Sequence, residues 1–354
     1  MLEVNGFNIF YILIVTFLSS VVLVPIAKRI AIHIKALDFP NERKVHKKVM
    51  PRLGGLAIYG AFLVGYLFFG SHTPQMLSIL IGGFVIVVMG MIDDINPVRA
   101  KYKLLTQIIA SIIVVLYGKI YLSEISFLSL NFLVPTPYNY ILSCMIIVAL
   151  INAINLMDGL DGMASGISSI YFLTITIIAF ILNRIGGLDI ILAVIMLGSS
   201  LGFLVYNFPP ASIFMGDTGS NFLGFMIAVI SLLGFKVTTF TSLIIPFAIL
   251  ALPIFDVALS IFRRLLKGQG IAEPDRDHFH HQLLKMRFSP KTSVLIIYLI
   301  NILFAAVSIF YALGDNLSAM IIYISLMLML LFIVLKTDIL FEHQKRKSKV
   351  KNEK

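Results

Sequence analysis

The chain has 354 residues, 59% of them apolar and 13% charged, with a mean hydropathy of +0.97. No soluble domain with a wetted surface tolerates that composition, so the sequence predicts an all-α, polytopic integral membrane protein. The formal net charge of +10 is accounted for by membrane topology and contact with anionic lipid headgroups, so no nucleic-acid partner is required.

Apolar runs of roughly 17–25 residues, the length that crosses a bilayer, fall at about 7–27, 53–70, 76–92, 104–121, 137–154, 163–182, 188–205, 219–235, 241–262, 293–313 and 318–335. About eleven transmembrane helices place the two termini on opposite sides. One side, holding the loops 28–52, 93–103, 155–162, 206–218 and 263–291 and the tail after Leu335, carries 25 of the 28 Lys and Arg residues. The other side has Lys119, Arg184 and Lys236. Because cytoplasmic loops hold the excess of Lys and Arg, the N-terminus is expected outside and the C-terminus in the cytoplasm of a multi-pass cell-membrane protein. The expected organisation is one membrane domain over 1–335 and a basic, lipid-facing tail over 336–354. The first span follows Glu3 and no basic residue, so it reads as a retained helix rather than a cleaved signal. Cys144, the single cysteine, excludes an intrachain disulfide framework and a cysteine metal cage.

In chain order, the first polar loop runs from Asp38 through His46 and Lys48 to Arg52 and the Gly54-Gly55 pair. Cations converge there on a helix start, where free N–H groups and the helix dipole favour an anion such as phosphate. The third span ends on Asp93-Asp94, adjacent carboxylates that cannot face the same way on a helix and need a cation near hydrocarbon. Lys101 and Lys103, at the start of the next helix, or a divalent metal meet that need. The stretch Asn152-Ala-Ile-Asn-Leu-Met-Asp-Gly-Leu-Asp-Gly lies between two apolar runs. If the helix continues through it, Asn155, Asp158 and Asp161 recur on one side about a turn apart. Asp217, between Gly216 and Thr218, reads either as a helix N-cap or as a metal ligand. Five acids, Asp93, Asp94, Asp158, Asp161 and Asp217, fall on the cytoplasmic side, and carboxylate oxygens suit Mg²⁺ or Mn²⁺ that also binds substrate phosphates. The loop 263–291 ends its polar part with His278, His280 and His281, a spacing weak for zinc and suited to hydrogen bonds with phosphate or sugar oxygens.

Together these segments, in order from about Asp38 to Leu284, resemble the polyprenyl-phosphate N-acetylhexosamine-1-phosphate transferase family, in its WecA/TagO-like branch. The resemblance rests on Val45-His-Lys-Lys-Val-Met-Pro-Arg-Leu-Gly-Gly, Asp93-Asp94 with Ala100-Lys-Tyr-Lys-Leu-Leu-Thr-Gln, the 152–162 stretch, Phe214-Met-Gly-Asp-Thr-Gly-Ser and Pro274-Asp-Arg-Asp-His-Phe-His-His. It implies transfer of a sugar 1-phosphate from a UDP-sugar to a polyprenyl phosphate, with release of UMP and Mg²⁺ at a cytoplasmic cleft. It further implies Asp217 and Asp93 at the metal and Asp94 as base or charge-positioning group. Asn155 and Asp158 would stand near the diphosphate, with Asp161 and Phe214 toward the nucleoside. His46, Lys48, Arg52 and Lys103 would be cationic substrate contacts, and His278, His280 and His281 contacts to phosphate or sugar. The muramoyl-pentapeptide branch carries a Lys shortly after its paired Asp and consecutive histidines; Ile95-Asn-Pro-Val and Phe279 stand there here, which favours UDP-N-acetylglucosamine as donor. A muramoyl-pentapeptide transferase and, more distantly, a transporter remain as alternatives, and a homodimer is left open.

Overall fold

The computed structural model describes residues 3–4, 6–40, 48–127, 130–182, 186–235, 244–266, 278–314 and 316–336. His46, Arg184, Lys236 and the basic tail after Lys336, Lys345 included, lie outside the described residues. Thirteen α-helices occur among those described: α1 (Ile9–His33), α2 (Gly55–Phe69), α3 (Pro74–Ile95), α4 (Ala100–Ile112), α5 (Tyr138–Leu156), α6 (Met163–Ile181), α7 (Leu188–Asn207), α8 (Gly216–Phe235), α9 (Ile244–Ile249), α10 (Ala251–Leu266), α11 (Phe279–Lys285), α12 (Pro290–Ala312) and α13 (Asn316–Lys336). A π-helical turn, Ile113–Tyr117, extends α4. Three short antiparallel pairs accompany them: β1 (Glu3–Val4) with β2 (Phe7–Asn8), β3 (Leu37–Asp38) with β4 (Met50–Pro51), and β5 (Glu124–Phe127) with β6 (Leu130–Leu133).

Eight described helical segments are long and apolar enough to cross a membrane: α1, α3, α4 with its π turn, α5, α6, α7, α8 and α12. Two shorter apolar helices, at Gly55–Phe69 and Leu317–Ile333, coincide with further expected spans. The run expected at 241–262 is divided into α9 and α10. Pro253 explains the break, because its ring clashes with the carbonyl four residues earlier, at Ile249, while the first turn of a new helix tolerates its missing N–H.

α8 is enclosed along its whole membrane-length window and is packed by α3, α5, α2, α7 and α6. In a chain this apolar, hydrophobicity alone does not decide which helix face turns inward; small residues that allow close approach do. α1 shows the rule. Phe10, Ile14, Leu18, Val22 and Ile26 are exposed at four-residue spacing, whereas Thr16, Ser20, Ala27 and Ala31 are buried. A Cβ on Gly198 or Gly202 of α7 would collide with Thr16 or Ser20, and Ser20 Oγ donates to the Ser199 carbonyl at 2.8 Å. The same device brings the start of α8 against α2 and α3. A Cβ on Gly55 would meet the backbone of Gly219, and one on Gly90 the backbone of Thr218.

Candidate active site

The end of α3 and the start of α8 meet because Gly90 and Gly216 leave room. Gly216 adopts φ +72°, and any Cβ there would strike the Asp94 carboxylate. Asp94 accepts from the backbone N–H groups of Asp217 (2.8 Å) and Thr218 (3.0 Å) and from Thr218 Oγ1 (2.6 Å). It therefore satisfies the open N–H groups of a helix that begins 120-odd residues later in the chain, and its negative charge sits on the positive end of that helix. Asp93, one residue earlier, points elsewhere, as a helix requires. Its carboxylate accepts from Val98 N at 2.8 Å and faces Lys103 Nζ at 2.8 Å.

Asp217, in the first turn of α8, turns its carboxylate to two cations rather than capping its own helix. Arg52 Nη2 lies 2.9 Å from its Oδ1 and Lys103 Nζ 2.8 Å from its Oδ2. Arg52 also reaches Asp94, Nε to Oδ1 at 3.0 Å. Burial works against the Arg52 charge, but Asp94, Asp217, Asp38 and Asp93 outweigh it and raise its pKa above the ordinary value. Arg52 is delivered by backbone pairing: Phe214 N donates to the Pro51 carbonyl (2.8 Å), and Arg52 N donates to that of Ala36 (3.0 Å). Gly54 N and Gly55 N donate to the carbonyls of Phe214 and Met215, both at 2.9 Å. That corrects one expectation. The N–H groups that open α2 are spent within the protein, those of Gly54 and Gly55 on the 214–215 segment and those of Leu56 and Ala57 on the Leu53 and Gly54 carbonyls, so the anion-attracting feature of this loop is its side chains.

Three carboxylates thus stand against two cations, with one oxygen from each of Asp93, Asp94 and Asp217 lying within 4.8 Å of the others. The donor set is all oxygen and carries a residual negative charge, which fits a hard divalent cation such as Mg²⁺ or Mn²⁺ and not a thiolate- or imidazole-loving metal. Asp94 is saturated by α8 and Arg52 and its side chain is fully buried, whereas the carboxylates of Asp93 and Asp217 keep some exposure.

Beside this cluster opens a cleft of about 1010 Å³, whose walls include Lys48, Arg52, Asn155, Asp158, Asp161, Phe214, Asp217 and His281. Asp93 and Lys103 line a small adjoining recess that shares Asp217 with it. The condition of a continuous helix through 152–162 is not met: α5 ends at Leu156, close to the expected end of its span, and residues 157–162 turn before α6. Gly162, at φ +75°, closes that turn. Asn155 Nδ2 donates to Ser220 Oγ at 2.9 Å, and Asp161 accepts from Ala211 N at 2.9 Å. Asn207 holds the turn to the Phe214 loop, accepting from Gly162 N (3.0 Å) and Ser165 Oγ (2.9 Å) while donating to the Ile213 carbonyl (3.0 Å). Burial, partly offset by Arg52 and reinforced by Asp217, Asp94 and Asp161, pushes the Asp158 carboxyl up to about 7.

The histidine segment differs from the expected loop. Residues 279–285 form α11, with His278 immediately before it. His278 and His280 are buried and His281 lies on the cleft wall. His278 Nδ1 pairs with Asp256 Oδ2 at 2.9 Å. His280 packs over Gly159, and neither of its ring nitrogens has a hydrogen-bond partner among the described residues. Burial, followed by the neighbouring His281 and His278, holds its pKa well below the ordinary histidine value. Sequence reasoning passed over Asp256, Asn207 and Thr218. Asp256 had left a signal, since it is the one acid inside the apolar run 241–262.

The model of glycosyl transferase family 4 matches residues 76–235. A probable undecaprenyl-phosphate N-acetylglucosaminyl 1-phosphate transferase of Bacillus subtilis is 44% identical over 86% of this chain and 85% of its own length. A decaprenyl-phosphate N-acetylglucosaminephosphotransferase of Mycobacterium tuberculosis is 32% identical, covering 83% of this chain and 81% of its own. An undecaprenyl-phosphate α-N-acetylglucosaminyl 1-phosphate transferase of Escherichia coli K12 is 29% identical, covering 84% and 82%.

Proposed function

This chain belongs to glycosyl transferase family 4, and we propose from that premise that it transfers N-acetylglucosamine 1-phosphate from UDP-N-acetylglucosamine to undecaprenyl phosphate. UMP is the leaving group, and the product starts a lipid-linked cell-surface glycopolymer. The observation that carries the reading is the interlocked cluster of Asp93, Asp94, Asp217, Arg52 and Lys103 on the rim of a cleft large enough for a nucleotide sugar. Bringing a lipid phosphate to a diphosphate sets like charges against each other, so neutralisation and in-line placement supply most of the rate.

Each side chain has a role in this scheme. Asp217 and Asp93 would hold a divalent cation, Mg²⁺ or Mn²⁺, which when bound would withdraw charge from the diphosphate. Asp94 fixes the start of α8 and so the direction of Asp217, a positioning role in place of a base. Arg52 and Lys103 balance the carboxylates and are the nearest cations for substrate phosphate, joined on the cleft wall by Lys48; His46 is assigned to the same group. Asn155 and Asp158 border the diphosphate, while Asp161 and Phe214 form the nucleoside end, where a phenyl face stacks on a base. His278, His280 and His281 serve the sugar or its phosphate. The 25-to-3 distribution of basic residues supports a cytoplasmic cleft, an outside N-terminus and about eleven spans formed by a single domain over 1–335.

The test is UMP release by detergent-purified protein supplied with Mg²⁺ and undecaprenyl phosphate. Release from UDP-N-acetylglucosamine should far exceed that from UDP-N-acetylmuramoyl-pentapeptide, because a site built for a compact sugar leaves polar groups unpaired around the wrong donor. The opposite preference would move the chain to the peptidoglycan branch. Release that needs no lipid phosphate would remove the transferase reading.

A further inference from the structure

Asp256 lies on α10 and is 2% exposed, in a segment otherwise apolar from Ile244 to Phe262 except for Ser260. Its two oxygens are used separately. Oδ2 meets His278 Nδ1 at 2.9 Å, and Oδ1 accepts from the Phe279 backbone N–H at 2.8 Å. A carboxylate only accepts, so this contact places the imidazole proton on Nδ1 and leaves Nε2 as the nitrogen free to accept. The His278 ring in turn lies parallel to that of His280, 4° between planes and 5.9 Å between centroids, and His280 is in ring contact with His281 on the cleft wall, centroids 4.2 Å apart.

We infer that Asp256 is a positioning residue for the transfer reaction, fixing the tautomer and rotation of His278 through its Oδ2 while Oδ1 anchors the start of α11. The inference rests on the transferase reading above and adds to it a group that acts from outside the cleft. The two oxygens allow its two jobs to be separated. In Asp256→Asn the carboxamide oxygen can still take the Phe279 N–H, but the amide nitrogen now offers a proton to His278 Nδ1. That moves the imidazole proton to Nε2 and removes the acceptor there. The fold keeps its anchor while the histidine presents the wrong tautomer.

UMP release by full-length protein in detergent, with UDP-N-acetylglucosamine, Mg²⁺ and undecaprenyl phosphate, is measured for wild type, Asp256→Asn, His278→Gln and the double variant, each alongside its melting temperature. The expected result is a kcat lowered about 10- to 100-fold in Asp256→Asn, a KM for the donor changed by less than about threefold and a melting temperature close to wild type. The double variant should be no slower than His278→Gln alone, since Asp256 acts through that ring. Wild-type kcat in Asp256→Asn overturns the inference, as does a double variant showing the full product of the two single losses. A melting temperature that falls in step with kcat assigns Asp256 to structure alone and also overturns it. If the wild type itself releases no UMP, the transferase reading fails and takes this inference with it; the other negative outcomes leave that reading standing.

Discussion

Asp217 is the residue on which the cluster turns, because it alone is shared by Arg52 and Lys103. Asp217→Asn keeps the side chain's shape and removes its charge, leaving Arg52 with Asp94 and Lys103 with Asp93 as their remaining carboxylates and one carboxylate fewer for the proposed cation. Turnover in UMP release should fall by at least about 10²-fold, since each ~1.4 kcal/mol of lost transition-state stabilisation is tenfold in rate. Circular dichroism of the purified variant should stay helical, and near-normal turnover would show that Asp217 holds no metal. His280 supports a pH prediction. Its folded pKa lies well below the ordinary 6.5, so as pH falls through about 6.5 the unfolded chain takes up a proton that the folded chain refuses. Stability contributed by neutral His280 is therefore complete above that pH and is lost as the solution is acidified. The melting temperature should drop more between pH 7.5 and 5.5 in wild type than in His280→Gln, whereas parallel profiles would place His280 in contact with water. At this scale the acids were legible as a group from their positions beside apolar runs. Their partners were not: Asp94 reaches Thr218 across 124 residues, a separation no local pattern reports.

The elements around the site are set by close backbone approach. α2, α3 and α8 converge where Gly55, Gly90 and Gly219 leave no space for a Cβ. Gly55→Ala should cost about 1–3 kcal/mol through overpacking and should lower turnover as well, because the displaced α8 start carries Asp217. Thermal melting checks the first and UMP release the second; an unshifted melt would mean that the helices give way freely. Helix existence was readable from apolar runs of membrane length, since lipid forces backbone groups to pair within the segment. Helix interruptions were harder. The turn at 157–162 kept a helix-like spacing of polar residues, and α11 was obscured because a short helix with charged flanks has the composition of a loop. The break between α9 and α10 had a cause in plain view, Pro253, hidden inside a run long enough to count as one span.

For the whole molecule the cleft, the cluster and the histidine segment lie at one end of a helical bundle, and in the topology proposed from the excess of Lys and Arg that end faces the cytoplasm. Exposed Lys101 and Lys119 mark opposite ends of the same helical segment, α4 with its π turn. With Cys144 replaced by Ser, Lys119→Cys should react with an impermeant thiol reagent in intact cells and Lys101→Cys only after permeabilisation. The reverse pattern would invert the topology. Chelation of divalent metal should abolish turnover and added Mg²⁺ restore it, and turnover indifferent to chelator would detach the acidic cluster from metal chemistry. The central claim, that a sugar leaves its nucleotide with its phosphate attached, has a direct test in UDP-N-acetylglucosamine labelled with ³²P at the β-phosphate. Incubated with the protein, Mg²⁺ and undecaprenyl phosphate, that donor should yield labelled lipid and unlabelled UMP; label retained in released UDP, with none in the lipid, would contradict the account.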